Sequence, residues 1–359
     1  MADSTHVDSA ATRHPDSPLY YAHLDRFIES CQRLSSTGKQ YFVVVLCHEL
    51  YRFLYPTEPY AAFEHDNPVP FLVRHIERLV RLAQLAEEGI AGYPLRPSDA
   101  GGAPSAAVEK QTSDLYSNLW QGYDREIMTR ESVALVERRV PRALIERHIK
   151  GKTVLDIGCG SGRYAIALAQ LGATRVVAID FQAKAWAQAD AICRQAALPV
   201  EFREADVLSL PFEDRSFDFV WSNGVLHHTR SWKGALLEYL RVMKHSGFLY
   251  LYATGGFFWT TRRRLRELFK DIPQPYTQSV LDTIGMPKNR MIFMDTWYVP
   301  IEGHIARAEL EGELSAGGVR FEKLVSGNAF DLDRGLATGL SGAADVWGEG
   351  EHRYHLVRP

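Results

Sequence analysis

A regular alternation of strand-like and helix-like segments between residues 153 and 254 constrains the fold of this chain more than any other feature. The strand-like runs are TVLDIG at 153–158, RVVAID at 175–180, PVEFREAD at 199–206, FDFVWSN at 217–223 and GFLYLYAT at 247–254. The first three are separated by the helical patterns YAIALAQLG at 164–172 and AKAWAQADAICRQA at 183–196. Strands that alternate with helices predict an α/β domain whose mostly parallel sheet is covered by helices on both faces.

The residues ahead of this alternation follow a helical pattern instead. Apolar residues recur at helical spacing in three stripes, which are Tyr21, Leu24, Phe27, Ile28 and Cys31; Phe42, Val45, Leu46, Leu50 and Phe53; and Leu72, Ile76, Leu79, Ala83 and Ala86. A stretch rich in Pro, Gly, Ser and Ala follows, and this composition is typical of a linker. We therefore predict a disordered leader at 1–17, a helical N-terminal domain at 18–91, a linker at 92–110 and an α/β domain at 111–359.

Composition and charge exclude several classes of protein. Lys and Arg total 41 against 44 Asp and Glu, which gives a formal net charge of −3 and argues against nucleic-acid binding by charge. The four cysteines have no C-x-x-C spacing, so neither a disulfide scaffold nor a metal site is expected. The polar start resembles no signal peptide, and no apolar run approaches the length of a membrane span. These observations predict a soluble, cytoplasmic protein.

A glycine-rich motif, DIGCGSG, lies where the first strand should turn into the first helix. It contains Asp156, Gly158, Gly160 and Gly162. Glycine permits positive φ angles and lets a ligand approach the backbone, and the helix N-terminus beyond offers free amides to a carboxylate. The nicotinamide fingerprint G-x-G-x-x-G does not fit, because Arg163 stands where its third glycine belongs. The motif therefore predicts a cofactor site of another kind, unless it is an ordinary tight turn.

Polar residues at the other strand ends extend this predicted site. Asp180 ends the second strand, where a carboxylate can accept from both hydroxyls of a ribose, and Phe181 beside it can face an adenine. Asp206 and Val207 end the third strand and are placed for the adenine amino group and a ring nitrogen. Asn223 ends the fourth strand, where it is expected to lie beneath the sulfonium group of the cofactor. Together the strand ends predict S-adenosylmethionine as the cofactor.

At this point the sequence resembles the class I S-adenosylmethionine-dependent methyltransferases, especially the branch that modifies small molecules. The resemblance rests on VLDIGCGSG, on AID at 178–180, on ADVLSLPFEDRSFDFVWSNGVLHH at 205–228 and on LRVMKHSGFLYLY at 240–252. It implies a Rossmann-like, seven-stranded sheet whose last strand is antiparallel, with the glycine and acidic positions binding the cofactor. FEKLVS at 321–326 and YHLVRP at 354–359 are the candidates for the final pair of strands.

Three regions outside the cofactor motifs are candidates for the acceptor site. Tyr116, Trp120 and Tyr123 fall on one helical face before the α/β domain, so they form either a lid over the substrate or an aromatic stripe that packs on the sheet. His227, in the LHH that follows the fourth strand, is either a base toward the acceptor or a structural histidine that bonds the backbone.

The third candidate region is a long insertion at 255–318, since long loops at strand ends often carry specificity. Trp297, Glu302, His304 and Glu309 lie in it, and carboxylates beside aromatic rings can hold a cation. The alternative is an exposed helix whose charges face water, as Arg307 and Glu311 four residues apart suggest. The arginines at 262–264 and 266 form either a solvated helix face or a site for a substrate carboxylate.

The acidic insertion favours N-methylation of a cationic amino or guanidino metabolite, with Glu302, Glu309 and His227 as catalytic residues. The arrangement is similar to what is expected of a free-arginine N-methyltransferase in natural-product biosynthesis. The paired-glutamate hairpin of protein arginine methyltransferases is replaced here by SNGVLHH. The alternatives are O-methylation of a phenol or carboxylate, modification of a macromolecule, and a sensor that binds the cofactor without catalysis. The N-terminal helices are expected to form a homodimer interface or a lid.

Overall fold

The computed structural model describes residues 17–54, 69–89, 125–256, 258–284, 290–299, 303–324, 346 and 348–359. The predicted leader up to residue 16 and the predicted linker at 92–110 lie outside these residues. Within the described part of the chain, no helix combines the length and apolar character needed to cross a membrane.

A seven-stranded sheet with the order β3-β2-β1-β4-β5-β7-β6 forms the α/β domain. The strands are β1 (Thr153–Ile157), β2 (Arg175–Asp180), β3 (Val200–Glu204), β4 (Phe217–Asn223), β5 (Met243–Thr254), β6 (Arg320–Lys323) and β7 (Glu351–Val357). The first five strands pair in parallel, and β7 runs antiparallel to both β5 and β6. The predicted Rossmann-like sheet is confirmed, although β5 begins at Met243 rather than at Gly247 and β6 already begins at Arg320.

Helices cover both faces of this sheet. One face packs against a short π-helix (Ile127–Glu131) and against α4 (Ser132–Arg139), α5 (Arg142–His148), α6 (Arg163–Gln170) and α7 (Ala187–Gln195). The other face packs against α8 (Trp232–Val242) and α12 (Arg307–Ala316). Because the central strands β1, β2, β4 and β5 are largely buried on both faces, they are mostly apolar runs rather than alternating ones.

A second apolar core lies outside the sheet and joins two segments that are far apart in sequence. Its helices are α1 (Ser17–Ser36), α2 (Gln40–Leu54) and α3 (Val69–Gly89) from the N-terminal region, and α9 (Trp259–Phe269), α10 (Gln274–Thr283) and α11 (Arg290–Tyr298) from the insertion. Across the junction, the Tyr20 hydroxyl lies 2.9 Å from Thr261 Oγ1, and Arg264 pairs with Asp25. We call these six helices the helical lobe.

The helical lobe explains where the apolar stripes of the N-terminal helices go. Leu24 and Phe27 of α1 and Leu72 and Ile76 of α3 are fully buried in the core that also contains Leu265 of α9. An amphipathic helix needs an apolar partner surface, and the insertion provides part of it. The insertion is therefore not only a loop over the sheet, because its helices complete the core of the N-terminal region.

Candidate active site

The DIGCGSG segment forms a tight turn between β1 and α6 that only glycine can build. Gly158, Gly160 and Gly162 have φ angles of 63°, 50° and 75°, in the left-handed region that side chains disfavour. A Cβ on Gly158 would lie 2.5 Å from Val225 Cγ2, and one on Gly162 would lie 2.5 Å from Ala189 Cβ. The turn therefore brings bare backbone to the carboxyl edge of the sheet.

Asp156 lies beneath this turn as a buried carboxylate with an unused oxygen. Its exposed fraction is 1%, and its Oδ2 has no hydrogen-bond partner among the described residues. Burial and then the nearby Asp180 raise the pKa of Asp156 well above its ordinary value, against the opposing effects of the Ala165 N–H and Arg163. A buried carboxylate oxygen without a partner is costly unless a cation or donor reaches it. The position therefore fits a cationic ligand group.

Asp180 joins the end of β2 to the glycine turn. Its Oδ2 accepts from the Gly160 N–H at 2.8 Å and its Oδ1 accepts from the Phe181 N–H at 2.7 Å. Burial raises the pKa of this carboxyl, and the N–H groups oppose the shift. The Phe181 ring is 45% exposed, so an apolar surface faces solvent beside the site.

Asp206 follows the end of β3 and is already paired. Its Oδ1 accepts from the Leu208 N–H at 2.9 Å, and its Oδ2 pairs with Arg230 at 2.8 Å. Partial burial alone would raise the pKa of this carboxyl, but these two donors outweigh it and hold the pKa below its ordinary value. Val207 packs against the core of the neighbouring sheet face. Both residues lie at the same edge as Asp156 and Asp180, because β1, β2 and β3 are neighbours.

Asn223, at the end of β4, belongs to a polar group that the sequence did not reveal. Its Oδ1 accepts from Arg139, and the Tyr164 hydroxyl accepts from both Arg139 Nη1 at 3.2 Å and Arg163 Nη2 at 3.0 Å. Burial alone would raise the pKa of Tyr164, but the two guanidinium groups outweigh it and lower the pKa. Arg139 Nε is buried without a partner among the described residues.

His227 lies in a short 3₁₀ turn (Leu226–His228) after β4 and bonds the backbone. The Thr254 N–H donates to His227 Nδ1 at 3.3 Å, so the neutral ring carries its proton on Nε2. Burial, then His228 and Arg262, lower the pKa of His227 well below its ordinary value. The structure therefore favours the structural role over the role of base, because the only nitrogen left for the acceptor carries a hydrogen.

The predicted acidic residues of the insertion are not brought to this edge as a cluster. Glu309 is exposed and pairs with Lys233 at 2.8 Å, which also pairs with Glu313 at 2.9 Å. Arg307 Nε donates to Glu311 at 2.8 Å. The position of Glu309 does not support a catalytic role, since its charge is satisfied by a surface lysine. Glu302 lies outside the described residues.

The aromatic candidates are also separated. Trp297 is 2% exposed and stacks on Phe269 at 5.3 Å between ring centroids, inside the core of the helical lobe. His304 lies against Gly256 directly after β5. Tyr116, Trp120 and Tyr123 lie outside the described residues. The described residues contain no group of three or more His, Cys, Asp or Glu that could hold a metal ion.

Residues 155–251 match the family described as Methyltransferase domain. This match begins inside β1 and ends inside β5, so it includes the glycine turn and the ends of β2, β3 and β4. The segment is a class I methyltransferase domain. Its cofactor is S-adenosylmethionine, and two observations fit that ligand: the unpartnered Asp156 Oδ2 suits its ammonium, and the side-chain-free turn suits its carboxylate.

Similar proteins match this chain over part of its length. A tRNA U34 carboxymethyltransferase of Alcanivorax borkumensis is 43% identical over 91 residues, which are 25% of this chain and 28% of that protein. A 27-O-demethylrifamycin SV methyltransferase of Amycolatopsis mediterranei is 32% identical over 148 residues, which are 39% of this chain and 54% of that protein. A solved methyltransferase structure from Aquifex aeolicus has a TM-score of 0.40 and 16% identity, covering 68% of this chain and 98% of that one. The matched region therefore spans at most 54% of the length of these two curated relatives.

Proposed function

We propose that this protein transfers a methyl group from S-adenosylmethionine to a small-molecule acceptor. The observation that carries the proposal is the buried Asp156 Oδ2 without a partner beneath a turn of bare backbone, within a methyltransferase domain. When bound, the cofactor supplies a methyl group whose bond to sulfur breaks as the bond to the acceptor forms. The chain's own task is then to hold the acceptor close, aligned and shielded from water.

The cofactor-binding roles in this proposal follow the order of the strands. Asp156 would hold the ammonium, and the amides of the turn from Gly158 to Gly162 would hold the carboxylate. Asp180 would accept from the ribose hydroxyls beside the exposed ring of Phe181. Asp206 and Val207 would meet the adenine, which requires the Arg230 side chain to share Asp206 or to move. Asn223, fixed by Arg139 and Tyr164, would lie nearest the reacting atoms.

Among acceptors, a phenol or carboxylate oxygen has better support than a cationic nitrogen. Glu309 is neutralised by Lys233, and His227 keeps its proton on the nitrogen that does not face the backbone. A carboxylate or an acidic phenol arrives largely ionised at neutral pH and needs no such base. The relative whose name gives 27-O-demethylrifamycin SV as its substrate supports a natural-product acceptor. N-methylation of an arginine-like metabolite becomes the second candidate.

An assay with isotopically labelled methyl donor tests both levels of this proposal. Wild-type protein is incubated with matched panels of carboxylates, phenols, amines and guanidines, and with bulk tRNA. Label in a carboxylate or phenol product supports the proposal. Label in tRNA alone, or no label in any product despite bound cofactor, contradicts it and favours a macromolecular substrate or a sensor.

The variant Glu309→Gln separates oxygen from nitrogen acceptors in the same assay. We expect it to retain wild-type turnover, since its carboxylate faces Lys233 on the surface. Loss of turnover by about 100-fold or more would restore the cationic-acceptor hypothesis. Glu313→Gln is the matched control, because Glu313 pairs with the same lysine.

A further inference from the structure

A cavity of about 940 Å³ lies within the helical lobe, between α9, α10 and α11. None of the candidate cofactor residues lines this cavity. Ligand pockets for small molecules usually measure about 300 to 1,000 Å³, so this cavity has room for a whole natural-product-sized molecule.

The charged residues of its largely apolar lining are mostly cationic. Arg262 and Arg266 of α9 and Lys270 directly after it are spaced by four residues, and they line the cavity together with Arg263. Among the lining residues in the described part of the chain the one carboxylate is Glu267, and it already pairs with Lys270 at 2.5 Å. Arginine presents planar, paired donors that match a carboxylate. The charge of the cavity therefore favours an anionic occupant.

Two tryptophans add N–H donors, which also favour an occupant with acceptor oxygens. Trp259 and Trp297 both line the cavity, and the buried Nε1 of each has no hydrogen-bond partner among the described residues. An indole N–H can only donate, and leaving it buried without an acceptor costs free energy. An occupant with several acceptor oxygens and a flat apolar body would satisfy both the N–H groups and the ring faces.

Two of the lining arginines, Arg262 and Arg266, are held in place by protein contacts. Arg262 is 6% exposed, and its Nε donates to the Thr296 carbonyl oxygen at 3.2 Å. Arg266 donates to the Val299 carbonyl oxygen. Both contacts tie α9 to α11 or to the residue directly after it. These two side chains therefore need little further ordering when a ligand binds.

A chain of residue contacts links the wall of the cavity to the carboxyl edge of the sheet, where the reaction would occur. The Trp259 ring stacks on His304 at 6.3 Å between centroids, and His304 lies against Gly256 directly after β5. The neighbouring Gly303 N–H donates to the His227 carbonyl oxygen at 2.5 Å, just after β4. The wall of the cavity and the end of the catalytic sheet thus share one continuous set of contacts.

We propose that this cavity binds the methyl acceptor and selects planar small molecules that carry a carboxylate. The inference rests on the proposed methyltransferase function and names its substrate class. Arg263, the exposed arginine of the lining, recognises the carboxylate, and the half-buried indole of Trp259 holds the flat body. A guanidino or amino acceptor is repelled by the same arginines.

Three probes with one ring system and different charge test the proposal on the full-length protein. They are 2-naphthoate, 2-naphthalenemethanol and 2-naphthylmethylamine, titrated by isothermal calorimetry. We expect naphthoate to bind at least about tenfold more tightly than the alcohol, and the amine to bind most weakly, since hydrogen bonds to charged groups are the strong ones. Equal affinities for the three probes overturn the proposal.

Variants locate the binding within the cavity. Arg263→Gln should remove about tenfold of the preference for naphthoate, and Arg263→Lys should restore part of it. Trp259→Phe keeps an aromatic ring but removes the indole N–H, and should weaken naphthoate binding about fivefold. Arg194→Gln on the outer surface of α7 is the control and should bind like wild type. An Arg263→Gln variant with the full wild-type preference would contradict the assignment.

S-adenosylmethionine is titrated into the same samples, which separates the two levels of the argument. Cofactor affinity should stay within about twofold of wild type in all cavity variants, because the cofactor residues lie on the sheet. Cofactor binding without any preference for naphthoate refutes the cavity assignment alone. Absence of cofactor binding by the wild type refutes the proposed function instead.

Discussion

The α/β domain and the helical lobe place their polar groups in different ways. In the α/β domain, the candidate residues lie at the ends of neighbouring strands and are positioned by short turns, such as the turn from Gly158 to Gly162. In the helical lobe, the cationic side chains of α9 gain their setting from α10 and α11, which line the same cavity. The comparison teaches that the cofactor site depends on local backbone geometry, whereas the proposed acceptor cavity depends on the packing of separate helices.

Backbone geometry in the glycine turn gives the largest expected effect. Gly162→Ala should destabilise the protein by about 3 kcal/mol or more and abolish cofactor binding, because its Cβ meets Ala189 Cβ at 2.5 Å and Phe202 Cε1 at 2.8 Å at a φ of 75°. Gly151→Ala is the matched control, since Gly151 has a φ of 72° and nothing within 4 Å of the added atom.

The control should cost only about 1 kcal/mol from backbone strain and leave cofactor binding intact. Urea unfolding measures the loss of stability, and calorimetry measures cofactor binding. Equal losses for the two variants would show that φ alone matters, and the close packing of the turn against α7 and β3 would then have no role.

Packing in the helical lobe gives the next effect. Leu24→Ala should cost about 2 to 4 kcal/mol, because Leu24 is fully buried in the shared core, whereas Leu82→Ala on the surface of α3 should cost less than about 0.5 kcal/mol. Hydrogen exchange should accelerate in α1 and α9 but not in β1 to β5. Faster exchange throughout the sheet would mean that the two regions unfold as one unit.

Charge burial at Asp156 gives the smallest and most selective effect. Asp156→Asn should stabilise the ligand-free protein by about 1 kcal/mol at neutral pH while weakening cofactor binding at least tenfold, since the carboxylate is buried without a partner for Oδ2.

The pH dependence of this effect has a defined sign. The folded-state pKa of Asp156 is raised, so the wild type loses stability as pH rises through that pKa and the carboxyl ionises. The advantage of the asparagine variant should therefore grow from acidic to neutral pH, as measured by thermal unfolding without ligand. An advantage that is constant with pH would show that Asp156 ionises freely in the folded protein.

Most of the α/β domain was predictable because its signals are local. The central strands are short apolar runs, and each candidate cofactor residue lies at or near the end of a strand, so Asp156, Asp180, Asp206 and Asn223 could be proposed from their positions alone. Arg139 and Tyr164 were missed, because Arg139 lies on a helix with no motif and reaches Asn223 only through the packing of α4 on the sheet.

The acceptor region was less predictable because its contacts join residues that are far apart in sequence. Carboxylates and aromatics close in sequence suggested a cation site around Glu309 and Trp297, but the fold pairs Glu309 with Lys233 and buries Trp297 in the shared core. From the sequence alone, the arginines of α9 could form either a solvated face or a site for a carboxylate. They line a cavity only because α10 and α11 fold back over them. Dimerisation, cytoplasmic location and a biosynthetic role stay predictions.

Titration of S-adenosylmethionine into the purified protein, with Asp180→Asn and Asp190→Asn alongside, tests the central claim most directly. Asp180 holds the glycine turn through Gly160, whereas Asp190 pairs with Arg194 on the surface of α7. The account predicts saturable binding by the wild type, at least tenfold weaker binding by Asp180→Asn and unchanged binding by Asp190→Asn. No detectable binding by the wild type, or equal binding by all three proteins, would contradict it.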